Sequence, residues 1–130
     1  MQLLFLDDDR QRCDVALSEC PSATIVSTAL ACIARLQEQP WDVVSLDHDL
    51  GGAVYVDSGR EDCGMEVVRW VEEHKPAVKY FCVHSYNGPA AYQMLQRLIV
   101  AGYQVVSRAF GPRLFRVWET MAHYVAEGRA

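Results

Sequence analysis

Lysine is scarce in this chain. Only Lys75 and Lys79 occur among 12 basic residues, against 17 acidic ones, and the net charge is -5. That balance argues against duplex DNA as a partner, because neutralising backbone phosphates takes a dense Lys/Arg face. No apolar run approaches the ~18 residues that cross a bilayer, and no charged segment before a long apolar stretch opens the chain. A soluble, cytoplasmic protein with no membrane partner is expected. CxxC pairs are missing too, and the five cysteines (Cys13, Cys20, Cys32, Cys63, Cys82) are odd in number. Neither a zinc ribbon nor a disulfide framework follows. Most of the cysteines sit in apolar segments, where buried reduced thiols are expected. Repeats, low-complexity runs and linkers are lacking as well.

The chain does have the material for a core. Hydrophobic residues make up 51% and charged residues 22%, which argues against disorder. Its 130 residues match one domain, so a single domain over 1–130 is expected. Ten of the 12 basic residues are Arg, the better bidentate partner for phosphate. A small anionic ligand at a local site therefore remains open.

Strand-like and helix-like segments alternate. Gln2 to Leu6 is a short apolar run ending in Asp7-Asp8-Asp9. Arg10 to Glu19 fits a helix stopped by Pro21, and Ala23 to Val26 a second strand. Ser27 or Thr28 can cap a helix carrying Leu30, Ile33, Ala34 and Leu36. Asp42 to Leu46 is a third strand, ending in Asp47-His48-Asp49. After a loop with Gly51, Gly52 and Gly59, Met65, Val67, Val68, Trp70 and Val71 recur at helical spacing. Lys79 to Val83 is a fourth strand, ending in His84-Ser85, and Asn87-Gly88-Pro89 turns the chain. Ala91, Met94, Leu95, Leu98 and Ile99 line a helix closed by Gly102. Tyr103 to Ser107 is strand five, and Pro112 opens a last helix through Leu114, Val117, Trp118, Met121 and Val125.

Five strand–helix units imply an α/β fold: a doubly wound, flavodoxin-like, five-stranded parallel sheet with order 2-1-3-4-5. Ligands bind beyond the carboxyl ends of such strands. With strands one, three and four as neighbours, the clusters at Asp7, Asp47 and His84 converge on one crevice.

Packed carboxylates repel one another unless a cation is present, and Mg²⁺ takes such oxygen ligands. Asp7-Asp8-Asp9 reads as a metal site or as helix capping. His48 and His84, at adjacent strand tips, can divide base and acid roles in phosphoester cleavage, or fix the crevice loops by hydrogen bonds. Ser85 can donate to a phosphate oxygen. Asn87 can add a donor or simply form the turn. Arg10, Arg60, Arg108 and Arg113 can each reach a phosphate, with Arg108 best placed after strand five. Trp70 and Trp118 fall on apolar helix faces and read as core. Tyr55 and Tyr86 lie near the crevice, where they can stack on a base. The loop from Gly51 to Cys63 reads as a mobile lid or a variable surface loop.

Leu4-Phe5-Leu6-Asp7-Asp8, Asp42 to Asp47 and Gly64 to Val68 resemble a response-regulator receiver domain, over essentially the whole chain. The resemblance implies Mg²⁺ on Asp7 and Asp8, a phosphoacceptor at Asp47, the backbone carbonyl of Asp49 on the metal, and a phosphate-binding hydroxyl at Ser85. Arg108-Ala109 replaces the receiver Lys-Pro pair, while Phe110 matches the aromatic that follows. Leu6 to Arg10, Asp47-His48-Asp49-Leu50-Gly51 and His84-Ser85-Tyr86-Asn87 resemble a narrower group, the cyclic-phosphate-processing receiver-like domains.

The resulting expectation is a metal-dependent phosphoesterase acting on a nucleotide or RNA end that bears a cyclic phosphate. Its metal set is Asp7, Asp8, Asp47 and Asp49, holding Mg²⁺ or Mn²⁺. Its catalytic set is Asp47, His48 and His84, and its phosphate set is Ser85, Asn87 and Arg108. A monomer or weak homodimer is expected. The alternatives are an atypical receiver phosphorylated on Asp47 that signals to a protein partner, and a cyclic-nucleotide binder that does not cleave.

Overall fold

Short apolar segments become strands and the longer segments of helical period become helices. The computed structural model describes residues 1–52, 55–111, 114, 116 and 118–120. Its elements run β1 (Leu3–Leu6), α1 (Arg10–Glu19), β2 (Thr24–Val26), α2 (Ala29–Glu38), β3 (Trp41–Leu46), α3 (Gly64–His74), β4 (Val78–Val83), α4 (Gly88–Val100) and β5 (Gln104–Ser107). The strands pair in parallel in the order β2-β1-β3-β4-β5, as the alternation implies. Among the described residues no helix is long and apolar enough to cross a membrane.

Successive strand residues point to opposite faces, and both faces are covered. Leu4, Leu6, Val44, Leu46, Phe81 and Val83 pack with Leu36, Val68 and Leu98 from α2, α3 and α4. Leu3, Phe5, Val43 and Cys82 pack with Ala16 of α1 and with Leu114 and Trp118. Double coverage explains why β1 reads as an unbroken apolar run. β5 departs from that pattern. It is an edge strand, and Gln104 and Ser107 are exposed.

Caps set the helix phases. The side chains of Asp9, Thr28 and Asn87 accept from the amides of Arg12, Ala31 and Ala90. Asn87-Gly88-Pro89 is thus a helix start as well as a turn, with Pro89 in the first turn of α4. The phase that Thr28 imposes buries Ala29, Cys32 and Leu36 and leaves Leu30 exposed. This corrects the apolar face expected from Leu30 and Ala34. Ile99 is likewise half exposed, while Met94 and Leu98 are buried. Trp118 is fully buried, and Trp70 is a partly buried neighbour of the core. The five cysteines are free, and all but Cys13 are buried. Leu114, Arg116 and residues 118–120 are helical. Pro112, Val117, Met121 and Val125 lie outside the described residues.

The first residue of α3 lies against the end of β3. The Gly64 amide donates to the His48 carbonyl at 2.8 Å. A Cβ at Gly64 would lie 1.9 Å from the Asp47 carbonyl oxygen and 2.9 Å from the His48 Cα. Neither backbone can yield without moving β3. Gly64→Ala is therefore expected to destabilise the protein by about 3 kcal/mol or more, read by urea denaturation. An unchanged midpoint would mean that α3 can slide away freely.

Candidate functional site

The parallel ladder continues one step past the strands. The amides of Asp7, Asp47, His84 and Arg108 donate to the carbonyls of Val26, Leu6, Leu46 and Val83 at 3.1, 3.0, 2.9 and 2.8 Å. Asp7, Asp47 and His84 therefore stand in one row across the tips of β1, β3 and β4. By alternation they share the face of Phe5, Ser45 and Cys82.

Packing converges on Asp7. His84 is fully buried and its ring stacks on Phe5, with centroids 4.6 Å apart and planes 4° apart. Its Nε2 lies 3.0 Å from Asp7 Oδ2 and its Nδ1 lies 2.7 Å from Ser45 Oγ. A carboxylate can only accept, so Nε2–H donates to Asp7 and Nδ1 accepts from the Ser45 hydroxyl. Burial lowers the His84 pKa even though Asp7 pulls it upward, so the ring is neutral. Arg12 Nε stands 3.5 Å from the same Asp7 oxygen. Asp47 accepts from the His48 amide at 2.9 Å. Burial and the nearby Asp7 charge push the Asp47 carboxyl up to about 7, against the pull of Arg12 and that amide.

The three consecutive aspartates have three different tasks. Asp7 is buried in the cluster, Asp9 caps α1, and Asp8 Oδ2 accepts from the Gly52 amide at 2.6 Å. Beside Asp7, burial and the neighbouring carboxylates push the Cys13 thiol up to about 11, so it stays protonated at neutral pH.

A crevice of about 480 Å³ opens above this row, lined among others by Asp8, Arg10, Arg12, Asp47, Ser85 and Tyr86. That is the size of a small-ligand site. Arg12 brings its cation into it and lies 5.8 Å over the Tyr86 ring. Tyr86 is itself held by its hydroxyl, which donates to the Phe110 carbonyl. Arg12 was not among the residues expected from sequence. Its one local signature is its place three residues after the Asp9 cap, with which it pairs at 3.8 Å. Ser85 is nearly buried, and its Oγ accepts from the Asn87 amide.

The other expected residues are placed elsewhere. Arg108 is exposed and does not line the crevice. Arg60 pairs with Asp62 at 2.6 Å, and Arg113 lies outside the described residues. His48 is one residue past Asp47, so its ring turns away from the row. Its Nδ1 meets Asp49 Oδ1 at 2.8 Å and its Nε2 meets Ser58 Oγ at 3.0 Å. The structure therefore does not bring the two histidines together.

Asp49 organises the loop after β3. Its carboxylate accepts from His48, from Asn87 Nδ2 at 3.1 Å, and from the amides of Tyr55 and Val56 at 2.7 and 3.1 Å. Burial opposes ionisation, yet these donors hold its pKa below the usual carboxylate value. Arg69 clamps the loop further through the carbonyls of Ser58 and Arg60. Tyr55 is exposed and has a left-handed backbone, as do Gly51 and Gly52. The described part of the loop is thus tied at several points.

Asp7, Asp47 and His84 offer one ligand atom each, all within 4.8 Å of one another, and all three residues are buried. Two buried carboxylates, Asp7 and Asp47, whose charges face one another, plus one imidazole, fit a divalent cation. The Asp49 side chain is committed to the loop and stands outside this set.

Comparison with known proteins agrees with this fold. The family model described as "Cyclic-phosphate processing Receiver domain" matches residues 2–99. The fold resembles the signal receiver domain of a protein described as a Luxo repressor from Vibrio parahaemolyticus, with 13% identity, a TM-score of 0.71, and coverage of 98% of this chain and 93% of that one. It also resembles a CheY-like response regulator receiver domain protein from Methanospirillum hungatei, with 19% identity, a TM-score of 0.66, and 98% of each chain covered. At these identities the likeness shows the fold alone. No curated protein matches the chain significantly.

A pH dependence follows from Asp47. The folded state binds its proton near pH 7 and the unfolded chain near the ordinary 3.8. Its contribution to stability is thus fully present below 3.8 and is lost as pH rises to about 7. In chelator, Asp47→Asn should match the wild type near pH 4 and exceed it by roughly 4 kcal/mol at pH 8, at about 1.4 kcal/mol per pKa unit. Urea denaturation at several pH values measures this, and a pH-independent gap would contradict it.

Proposed function

The chain belongs to the cyclic-phosphate processing receiver domain family, and on that premise we propose that it is a metal-dependent phosphoesterase that opens cyclic phosphates on nucleotides or RNA ends. The observation that carries the reading is the pairing of a buried carboxylate cluster with an arginine-lined crevice of small-ligand size. Mg²⁺ or Mn²⁺ would be held by Asp7, Asp8 and Asp47, with the backbone carbonyl of Asp49. Such an ion neutralises charge developing on the phosphate and acts as a Lewis acid.

The remaining roles fall to the chain's own residues. Arg12 and Arg10 bind phosphate oxygens from the crevice wall, and Arg12 takes the place first expected for Arg108. The Ser85 hydroxyl donates to a further phosphate oxygen. Asp47 lines the crevice beside Asp8, Arg12 and Ser85. It acts as the base for an attacking water, or as the nucleophile in a covalent aspartyl-phosphate variant. In the metal-free protein His84 holds Asp7, while His48 holds Asp49 and the loop and serves as a positioning residue. Asn87 donates to Asp49 while capping α4.

The test is product chromatography with cyclic mononucleotides, cyclic dinucleotides and RNA ending in a cyclic phosphate, in Mg²⁺, Mn²⁺ or chelator. Metal-dependent ring opening is expected, with Asp47→Asn slower by about 10³-fold or more. Stable labelling of Asp47 by a small phosphodonor, with every cyclic substrate left intact, would replace this reading with a signalling receiver. A bound cyclic nucleotide recovered unchanged would replace it with a binder.

A further inference from the structure

We infer that His84 is itself a ligand of the cation, through Nε2, and that this nitrogen makes the site select Mn²⁺ over Mg²⁺. The inference rests on the metal reading above and concerns which atoms and which ion complete that site.

Three observations support it. First, the ring is fixed with Nε2 aimed at the carboxylates. It is fully buried, stacked on Phe5 and flanked edge-on by Phe110, so it cannot turn the nitrogen elsewhere. Second, that nitrogen lies 3.0 Å from Asp7 Oδ2 and belongs to the set of ligand atoms, all within 4.8 Å of one another, that includes Asp47. Third, the partner at Nδ1 is a hydroxyl, Ser45 Oγ, at 2.7 Å. A hydroxyl donates or accepts by rotating. The neutral ring can therefore carry its proton on Nε2, donating to Asp7, or on Nδ1, donating to Ser45. The second tautomer keeps the Ser45 bond and frees the Nε2 lone pair, with no net gain or loss of protons. A ligating histidine commonly donates its other N–H in this way, which fixes the tautomer.

The choice of ion follows from donor chemistry. Mg²⁺ prefers six oxygens in a strict octahedron and gives up water reluctantly. Imidazole suits transition ions, while carboxylates suit Mg²⁺ and Mn²⁺ alike. Aspartate carboxylates joined by one imidazole therefore favour Mn²⁺ over Mg²⁺. Arg12 Nε, 3.5 Å from Asp7 Oδ2, is the cation that faces this carboxylate beside the ion's place.

Pulsed electron paramagnetic resonance of protein loaded with Mn²⁺ tests the ligation, and Mg²⁺ competition against the free Mn²⁺ signal tests the selectivity. The wild type should show ¹⁴N coupling that becomes ¹⁵N coupling when histidine is ring-labelled with ¹⁵N. His84→Gln should lose it, and the Mn²⁺-over-Mg²⁺ preference should fall by about tenfold or more. His48→Gln should keep both. Ser45→Ala should keep the coupling and bind Mn²⁺ about tenfold more weakly. Tight Mn²⁺ binding without histidine coupling in the labelled wild type would overturn the inference and leave the metal reading intact, whether or not His84→Gln folds. Failure of either ion to bind would overturn both.

Discussion

Asp7 and Asp47 are two buried carboxylates on adjacent strand tips, and the surroundings respond to their mutual repulsion. The Asp47 carboxyl is pushed up to about 7, while His84, the His48 amide and Arg12 supply donors or positive charge. The sheet enforces the closeness. The tip amides hydrogen-bond one step beyond β1, β3 and β4, so the row cannot relax by spreading without breaking the ladder. A metal-free protein thus stores unfavourable electrostatics at the place where a cation and a phosphate would relieve it. Local destabilisation at a prospective site is a common cost of pre-organisation.

A second network keeps the roof of the crevice in register with its floor. Asp49 receives donors from His48, from the loop amides and from Asn87, which also caps α4. The Gly52 amide fastens the same loop to Asp8. One strand tip therefore positions both the helix that follows β4 and the loop that follows β3. Gly64 completes the arrangement, because α3 can start against the Asp47 carbonyl only without a Cβ there.

The sheet and most helices were legible in the sequence because short, largely apolar runs, the mark of strands covered on both faces, alternate with longer segments of helical period. The convergence of Asp7, Asp47 and His84 was legible once the strand order was inferred. The separation of His48 from His84 follows from the alternation of side chains along a strand, since His48 is one step past Asp47 and its ring faces the other way. Arg12 was hidden because a cation in the first turn of α1 looks like any solvated residue until the cap fixes the phase of that helix. The exposure of Leu30 has the same origin at Thr28. The Ser58 partner of His48 lies ten residues along a loop with no periodicity, so nothing local announced it.

Thermal unfolding at pH 8 with and without Mn²⁺ tests most directly whether the Asp7–Asp47 row is a cation site. An ion that binds only the folded state raises the melting temperature in proportion to the logarithm of its concentration. That rise is expected for the wild type, with its near-abolition in Asp47→Asn. A wild-type melting temperature indifferent to Mn²⁺ and Mg²⁺ at millimolar concentration would contradict it.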